Sequence, residues 1–80
     1  MNKNKHTMID KQIRIEHVKR MVVFMGKCHT LCILEDCRRE ALNCLINLHV
    51  DGLIGPKENE TWRTEVQRVY VENLRRLNNE

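Results

Sequence analysis

The stretch CHTLCILEDCRREALNCLINLHV, residues 28–50, decides how this chain folds. On a helical wheel of about 100° per residue, Ile33, Leu34, Cys37, Ala41, Cys44, Leu45 and Leu48 gather on one side. Cys32, Ile46 and Val50 lie nearly opposite, with Leu42 beside them. Only a strip containing Asp36, Glu40, Asn43 and Asn47 is consistently polar. A helix that is apolar on two sides must be covered on both. Thr30 is placed to cap its start, and Asp51-Gly52 to stop it. The pattern predicts a central helix over 31–51, with one face against its own chain and the other against something else.

Upstream, Ile15, Val18, Val22 and Met25 recur at spacings of three and four, a narrow seam widened by Met21. Ile9, Ile13 and Phe24 make a weaker second stripe. These positions predict a first helix over about 8–25, with Thr7 as N-cap and Gly26 as its left-handed C′ residue. Residues 1–7 are polar, lack an apolar anchor and are expected to be flexible. Downstream, 53–60 reads as a linker, because Gly55-Pro56 is turn chemistry. Asn59 or Thr61 then opens a third helix over about 60–77, striped by Trp62, Val66, Val69, Tyr70, Leu74 and Leu77. Glu72 is expected to pair with Arg75 or Arg76 on its wet side. Strand-like alternation, internal repeats and low-complexity blocks are absent from the sequence. The fold class expected is all-α, a single antiparallel three-helix domain over 1–80 with the second helix central.

A chain of 80 residues buries only roughly 60–65% of the surface that its unfolded form exposes. Small folds supplement such a core with disulfides, metal or oligomerisation. A second copy of the chain laid across Cys32, Leu42, Ile46 and Val50 closes the surplus face by two-fold symmetry, so a homodimer is expected. Charged residues make up 31% of the chain, which sets it apart from membrane proteins. The longest apolar run, MVVFM at 21–25, is far short of the ~20 residues a membrane-spanning helix needs. The basic start is followed by Asp10, Lys11, Arg14 and Glu16 rather than an apolar leader, so the expected compartment is the cytoplasm.

The four cysteines invite a zinc reading, since zinc prefers four thiolate or imidazole ligands. Helix geometry defeats its simple form. Cys37 and Cys44 are separated by about 10.5 Å of helical rise, too far to share one ion or to form a disulfide. Cys32 and Cys37 point about 140° apart. A reduced site remains conceivable at Cys28, His29 and Cys32, completed by another histidine or a second subunit, but no cofactor is expected. Free cysteine is among the most buried residue types, and Cys37 and Cys44 suit a core. Cys28, near a helix start with Lys27 and His29 adjacent, has the surroundings that favour a reactive thiol. Adjacent helical residues diverge by about 100°, so His29 is not placed to act as its base. Serine is absent from the sequence, which excludes a serine nucleophile. Glu35, Asp36 and Glu40 lack a second acidic helix to complete a carboxylate metal site and read as a solvated face.

A nucleic-acid reading rests on the pairs Arg38-Arg39 and Arg75-Arg76, with Lys19-Arg20, Arg63 and Arg68 in support. These interleave with Glu16, Glu35, Glu40, Glu65 and Glu72, and the net charge is only +3. Three aromatic residues, Phe24, Trp62 and Tyr70, make no stacking platform. The loop between the second and third helices is also longer than the turn of a helix-turn-helix. Trp62 suits a binding hot spot, although its place in the apolar stripe fits a core anchor better.

The function expected is therefore a cytoplasmic, non-enzymatic interaction module. Its partners are a second copy and a larger host protein or nucleoprotein complex, with no membrane. Its interaction face comprises Cys32, Leu42, Ile46, Val50 and Trp62. By analogy with small helical products of phages and mobile elements, it would inhibit a host defence or transcription complex by occluding it. The alternatives are a dimeric DNA-binding regulator contacting DNA through Arg38, Arg39, Arg75 and Arg76, and a zinc-stabilised adaptor.

Overall fold

The computed structural model describes residues 3–79. It contains three helices: α1 over Lys3–Lys27, α2 over Leu31–Val50 and α3 over Pro56–Asn78. They form an elongated bundle of 53 × 20 × 13 Å. α2 packs closely on both neighbours, whereas α1 and α3 meet each other sparingly. The direction of each helix follows from its long-range contacts. Arg14 of α1 pairs with Asp51 beyond the end of α2, and His17 lies against Glu40, so α1 and α2 run antiparallel. Tyr70 of α3 reaches back to Glu35 near the start of α2. Lys11–Glu58 and Arg76–Cys28 join like ends of α1 and α3, which therefore run parallel.

α2 begins and ends as its sequence requires. Thr30 has an extended backbone, and its hydroxyl oxygen accepts from the Ile33 amide at 3.1 Å, satisfying one of the orphan donors of the first turn. At the other end Gly52 takes φ +75°, and the Leu53 amide donates to the Leu48 carbonyl while that of Gly52 donates to His49. This is the Schellman arrangement, and it needs a residue without a Cβ at that position. It also turns Leu53 and Ile54 back onto the core.

The other two helices start earlier than expected. The expectation of flexibility at residues 1 and 2 lies outside the described residues, but from Lys3 onward the backbone is helical, and Thr7 is interior to α1 rather than its cap. Gly26 also lies inside α1 and takes no left-handed conformation. The supposed linker shrinks to 51–55, because Pro56 is the first residue of α3 and Gly55 its N-cap. Proline lacks only an amide that is unpaired anyway at N1, and its fixed φ suits a helix start. Thr61, offered as a cap, instead donates its hydroxyl to the Lys57 carbonyl from within the helix.

The core is built by the α2 face that contains Leu34, Cys37, Ala41, Leu45 and Leu48. Val18 and Met25 meet it from α1, Val66 and Val69 from α3, and Cys28 and Ile54 from the turns. Ile15, Met21, Val22, Trp62, Tyr70, Leu74 and Leu77 border it. Two assignments to this face change. Ile33 is 47% exposed, because it lies at the margin of the α2 stripe, and Cys44 is only half-buried. Ile9, Ile13 and Phe24, the second stripe of α1, are exposed.

Candidate functional site

Two surfaces flank α2, and they differ in chemistry. Between α1 and α2 runs a polar groove of about 530 Å³, lined by Arg14, His17, Glu40, Asn43, Cys44 and Asn47 among others. Arg14 is held in place by Asp51 at 2.6 Å and Asp10 at 3.1 Å. The hydrogen bond from Arg14 to Asp51, with Asp10 adding to it, raises the guanidinium pKa further. Burial raises the Cys44 thiol, which donates to the Arg14 carbonyl at 3.4 Å. A protonated thiol so engaged is a poor nucleophile. The groove was legible only as the polar strip of α2, since its α1 wall comes from a distant part of the chain.

On the other side, α2 and α3 enclose a wider, open groove of about 1130 Å³. Leu42 and Val71, both half-buried, supply apolar lining, and Arg38, Arg63, Arg68 and Arg75 supply charge. Farther round α2, Ile46 is 46% and Val50 75% exposed, and neither lines the groove. Within the expected interaction face, Cys32 is exposed and Leu42 lies in the groove. Trp62 is half-buried against the core and is not part of the groove lining. Ile46 and Val50 follow Leu42 at steps of four along α2 and so share its side of the helix, whereas Trp62 belongs to α3. Val71 was missed in the sequence because it sits at the margin of the α3 stripe, and only its adjacency to Tyr70 hinted at partial burial.

The arginines have unequal freedom. Arg38 donates through Nε and Nη2 to Glu35 and lies 4.5 Å from the centroid of the Tyr70 ring. Tyr70 donates to the other Glu35 oxygen at 2.8 Å. Hydrogen bonds from Tyr70, and then from Arg38, hold the Glu35 carboxyl below its ordinary range, and the same bond to Glu35 raises Tyr70. Arg68 bridges Glu65 and Glu72, so Glu72 pairs with Arg68 rather than with Arg75 or Arg76. Arg39 lies 3.5 Å from Asp36. Arg76 turns inward, donating to the Cys28 carbonyl and to Asn73. Arg75 and Arg63 are exposed.

The cysteine cluster disperses. Cys28 is buried and donates to the Met25 carbonyl at 3.3 Å, Cys37 is buried, and Cys32 is exposed. Burial raises the Cys37 thiol. All four cysteines carry free thiols. Among the described residues, no three His, Cys, Asp or Glu side chains converge as metal ligands, and no helix is long and apolar enough to cross a membrane. Comparison with known proteins returns nothing similar: no family model, curated protein or solved structure matches the chain.

Proposed function

We propose that this chain is a small, non-enzymatic interaction module that pairs with itself along the outer edge of α2 and acts by occupying a surface of a larger host complex. Such a module suits an inhibitor of the kind carried by phages and mobile elements. One observation carries this reading: α2 completes the core with one face and still exposes Ile46 and Val50, which follow Leu42 of the groove at successive steps of four along the same side of the helix. An exposed apolar strip on so small a protein is a cost in water unless it has an occupant. A two-fold axis near Ile46 would bury the strip against itself.

The DNA-regulator reading has weaker support. Arg38 and Arg76 are engaged within the chain, and Glu60 and Glu72 line the same groove as the arginines.

The test combines light scattering with a tagged pull-down from host lysate, with and without nuclease. For wild type, a dimer and one discrete protein complex that survives nuclease are expected. Ile46→Asp should keep its helix content and become monomeric. If Ile46→Asp unfolds the chain, Ile46 belongs to the protomer core and the face is misassigned. Recovery of nucleic acid, with a steep loss of affinity as salt rises, would favour the regulator instead.

A further inference from the structure

The end of the bundle at the α1–α2 turn combines exposed apolar side chains with unpaired positive charge. α1 and α2 run antiparallel, so this turn lies at one end of the 53 Å axis. On the last two turns of α1, Arg20, Val23, Phe24 and Lys27 are exposed. Their spacing of i, i+3, i+4 and i+7 sets them on one face, turned away from buried Val18 and Met25. After the turn, α2 opens with three consecutive exposed apolar residues, Leu31, Cys32 and Ile33. None of these residues lines either groove. Residues 17–34 contain no Asp or Glu but hold Lys19, Arg20 and Lys27. Lys19 pairs with Glu16, whereas Arg20 and Lys27 make no ion pair among the described residues. The next carboxylates along α2, Glu35 and Asp36, are matched by Arg38 and Arg39. Arg76, which holds the Cys28 carbonyl, brings the last turn of α3 and its exposed Arg75 to the same end.

We propose that this end of the bundle rests on an anionic lipid bilayer, with Phe24, Leu31 and Ile33 dipping into the boundary between headgroups and acyl chains and Arg20 and Lys27 among the headgroups. The direction of the apolar side chains selects this occupant. Successive helical residues diverge by about 100°, so Leu31, Cys32 and Ile33 fan through about 200°. A flat face of a partner protein covers one side of such a turn, whereas a fluid surface surrounds it. Charge selects the same occupant, because unpaired cations complement anionic headgroups. Their long aliphatic stems let neighbouring apolar atoms sink while the charge stays in water. A second copy fits poorly, since a two-fold axis here would bring Arg20 and Lys27 of both copies together with no carboxylate between them. A nucleic-acid backbone would use the cations and leave the apolar residues in water. Span length and composition argue against a helix that crosses a bilayer, but a surface contact needs none. This contact goes beyond the interaction-module reading, and of the face expected for that module it touches only Cys32.

The experiment titrates the wild-type protein with vesicles of phosphatidylcholine alone and with vesicles that also contain phosphatidylglycerol, read by sedimentation. Two basic and a few half-exposed apolar side chains make a weak, reversible contact of the order given by a single acyl chain, so the titration runs to millimolar lipid. Binding to the anionic vesicles at least about tenfold tighter than to neutral ones, and falling as salt rises, is expected. Phe24→Ser/Leu31→Ser should weaken it at least about tenfold by removing the inserted surface. Arg20→Gln/Lys27→Gln should weaken it at least about tenfold by removing the attraction. Circular dichroism checks that both variants remain helical. The exposed thiol of Cys32 gives a readout that needs no variant: an environment-sensitive fluorophore attached there in the folded protein should shift to the blue with anionic vesicles. No binding to anionic vesicles, equal binding to neutral ones, or a label that stays in water would overturn the proposal. So would binding that needs Arg20 and Lys27 but is indifferent to Phe24 and Leu31, which is adsorption of charge alone. A short DNA duplex that binds through the same two cations would overturn it in favour of a phosphate backbone.

Discussion

Arg76→Met should destabilise this protein well beyond what an ordinary surface exchange does. The guanidinium joins the last turns of α3 to the α1–α2 turn. Its Nη2 donates to the Cys28 carbonyl at 2.9 Å and its Nε to Asn73 Oδ1 at 2.9 Å. Asn73 is itself 9% exposed and donates to the Val69 carbonyl, so its oxygen has little recourse to water once Arg76 is gone. The contact from Nη2 to the Met25 carbonyl, at 3.5 Å, is too long to count for much. Hydrogen bonds involving a charged group contribute about 1.5–3 kcal/mol when buried, and partial exposure of this pair lowers the sum to roughly 2–3 kcal/mol. For a domain of this size that corresponds to a fall of roughly 10–20 °C in melting temperature. Thermal and urea unfolding followed by circular dichroism at neutral pH would measure it. Arg76→Lys keeps the charge but loses the fork, and should recover no more than about half of the loss. A cycle with Asn73→Ala should show coupling of about 1 kcal/mol. A loss below about 0.5 kcal/mol for Arg76→Met would place it among ordinary surface changes and refute the view that this side chain pins the turn.

Three further outcomes are expected. Leu45→Ala, at a fully buried position, should cost about 2–5 kcal/mol, a large share of the roughly 5–15 kcal/mol typical of a whole domain; a midpoint unchanged in denaturant titration would contradict the core assignment. Thr30→Ala should cost about 1 kcal/mol by removing the α2 cap, and Thr30→Ser should restore most of it. The Tyr70–Glu35 hydrogen bond should shape both limbs of the stability-versus-pH curve. Because the folded Glu35 carboxyl is held low, its contribution is present above the ordinary carboxylate value and is lost as pH falls from about 5 through the lowered folded value. Because folded Tyr70 is held high, the same bond contributes below about pH 10 and is lost as pH rises through the raised folded value. Tyr70→Phe should flatten the alkaline limb and weaken the acid one, leaving the share of Arg38 in place. Stability curves of wild type and variant that run parallel at both extremes would show that this bond does not form in solution.

Much of the architecture follows from local chemistry alone. The α2 boundaries are written in Thr30 and in Gly52, because a hydroxyl cap and a left-handed glycine act within a single turn of chain. The buried faces of α2 and α3 follow from periodicity, since Leu34, Ala41, Leu45, Val66 and Val69 repeat at helical spacing and have no other way to leave water. The start of α3 departs from the expected one for a local reason: Gly55-Pro56 suits a turn and also suits an N-cap followed by N1. Propensity does not separate the two when Lys57, Glu58 and Glu60, which follow, are good helix formers. In α1, likewise, the early polar residues lack an apolar face but extend a helix already anchored at Val18 and Met25.

The helical class, the α2 caps and the inward side of each helix are legible in the chain alone, because these depend on residues within a few positions of one another. The distribution of the charges emerges only from helix packing. Arg76 and Arg75 are neighbours in sequence, yet one holds the Cys28 carbonyl and the other stands in solvent. Glu72 prefers Arg68, and Leu42 and Val71, about thirty residues apart in sequence, come to line one groove. The physical reason is that an arginine on a long flexible stem selects its partner from whatever packing brings within reach. That choice is made between helices, where a one-dimensional pattern carries no distance.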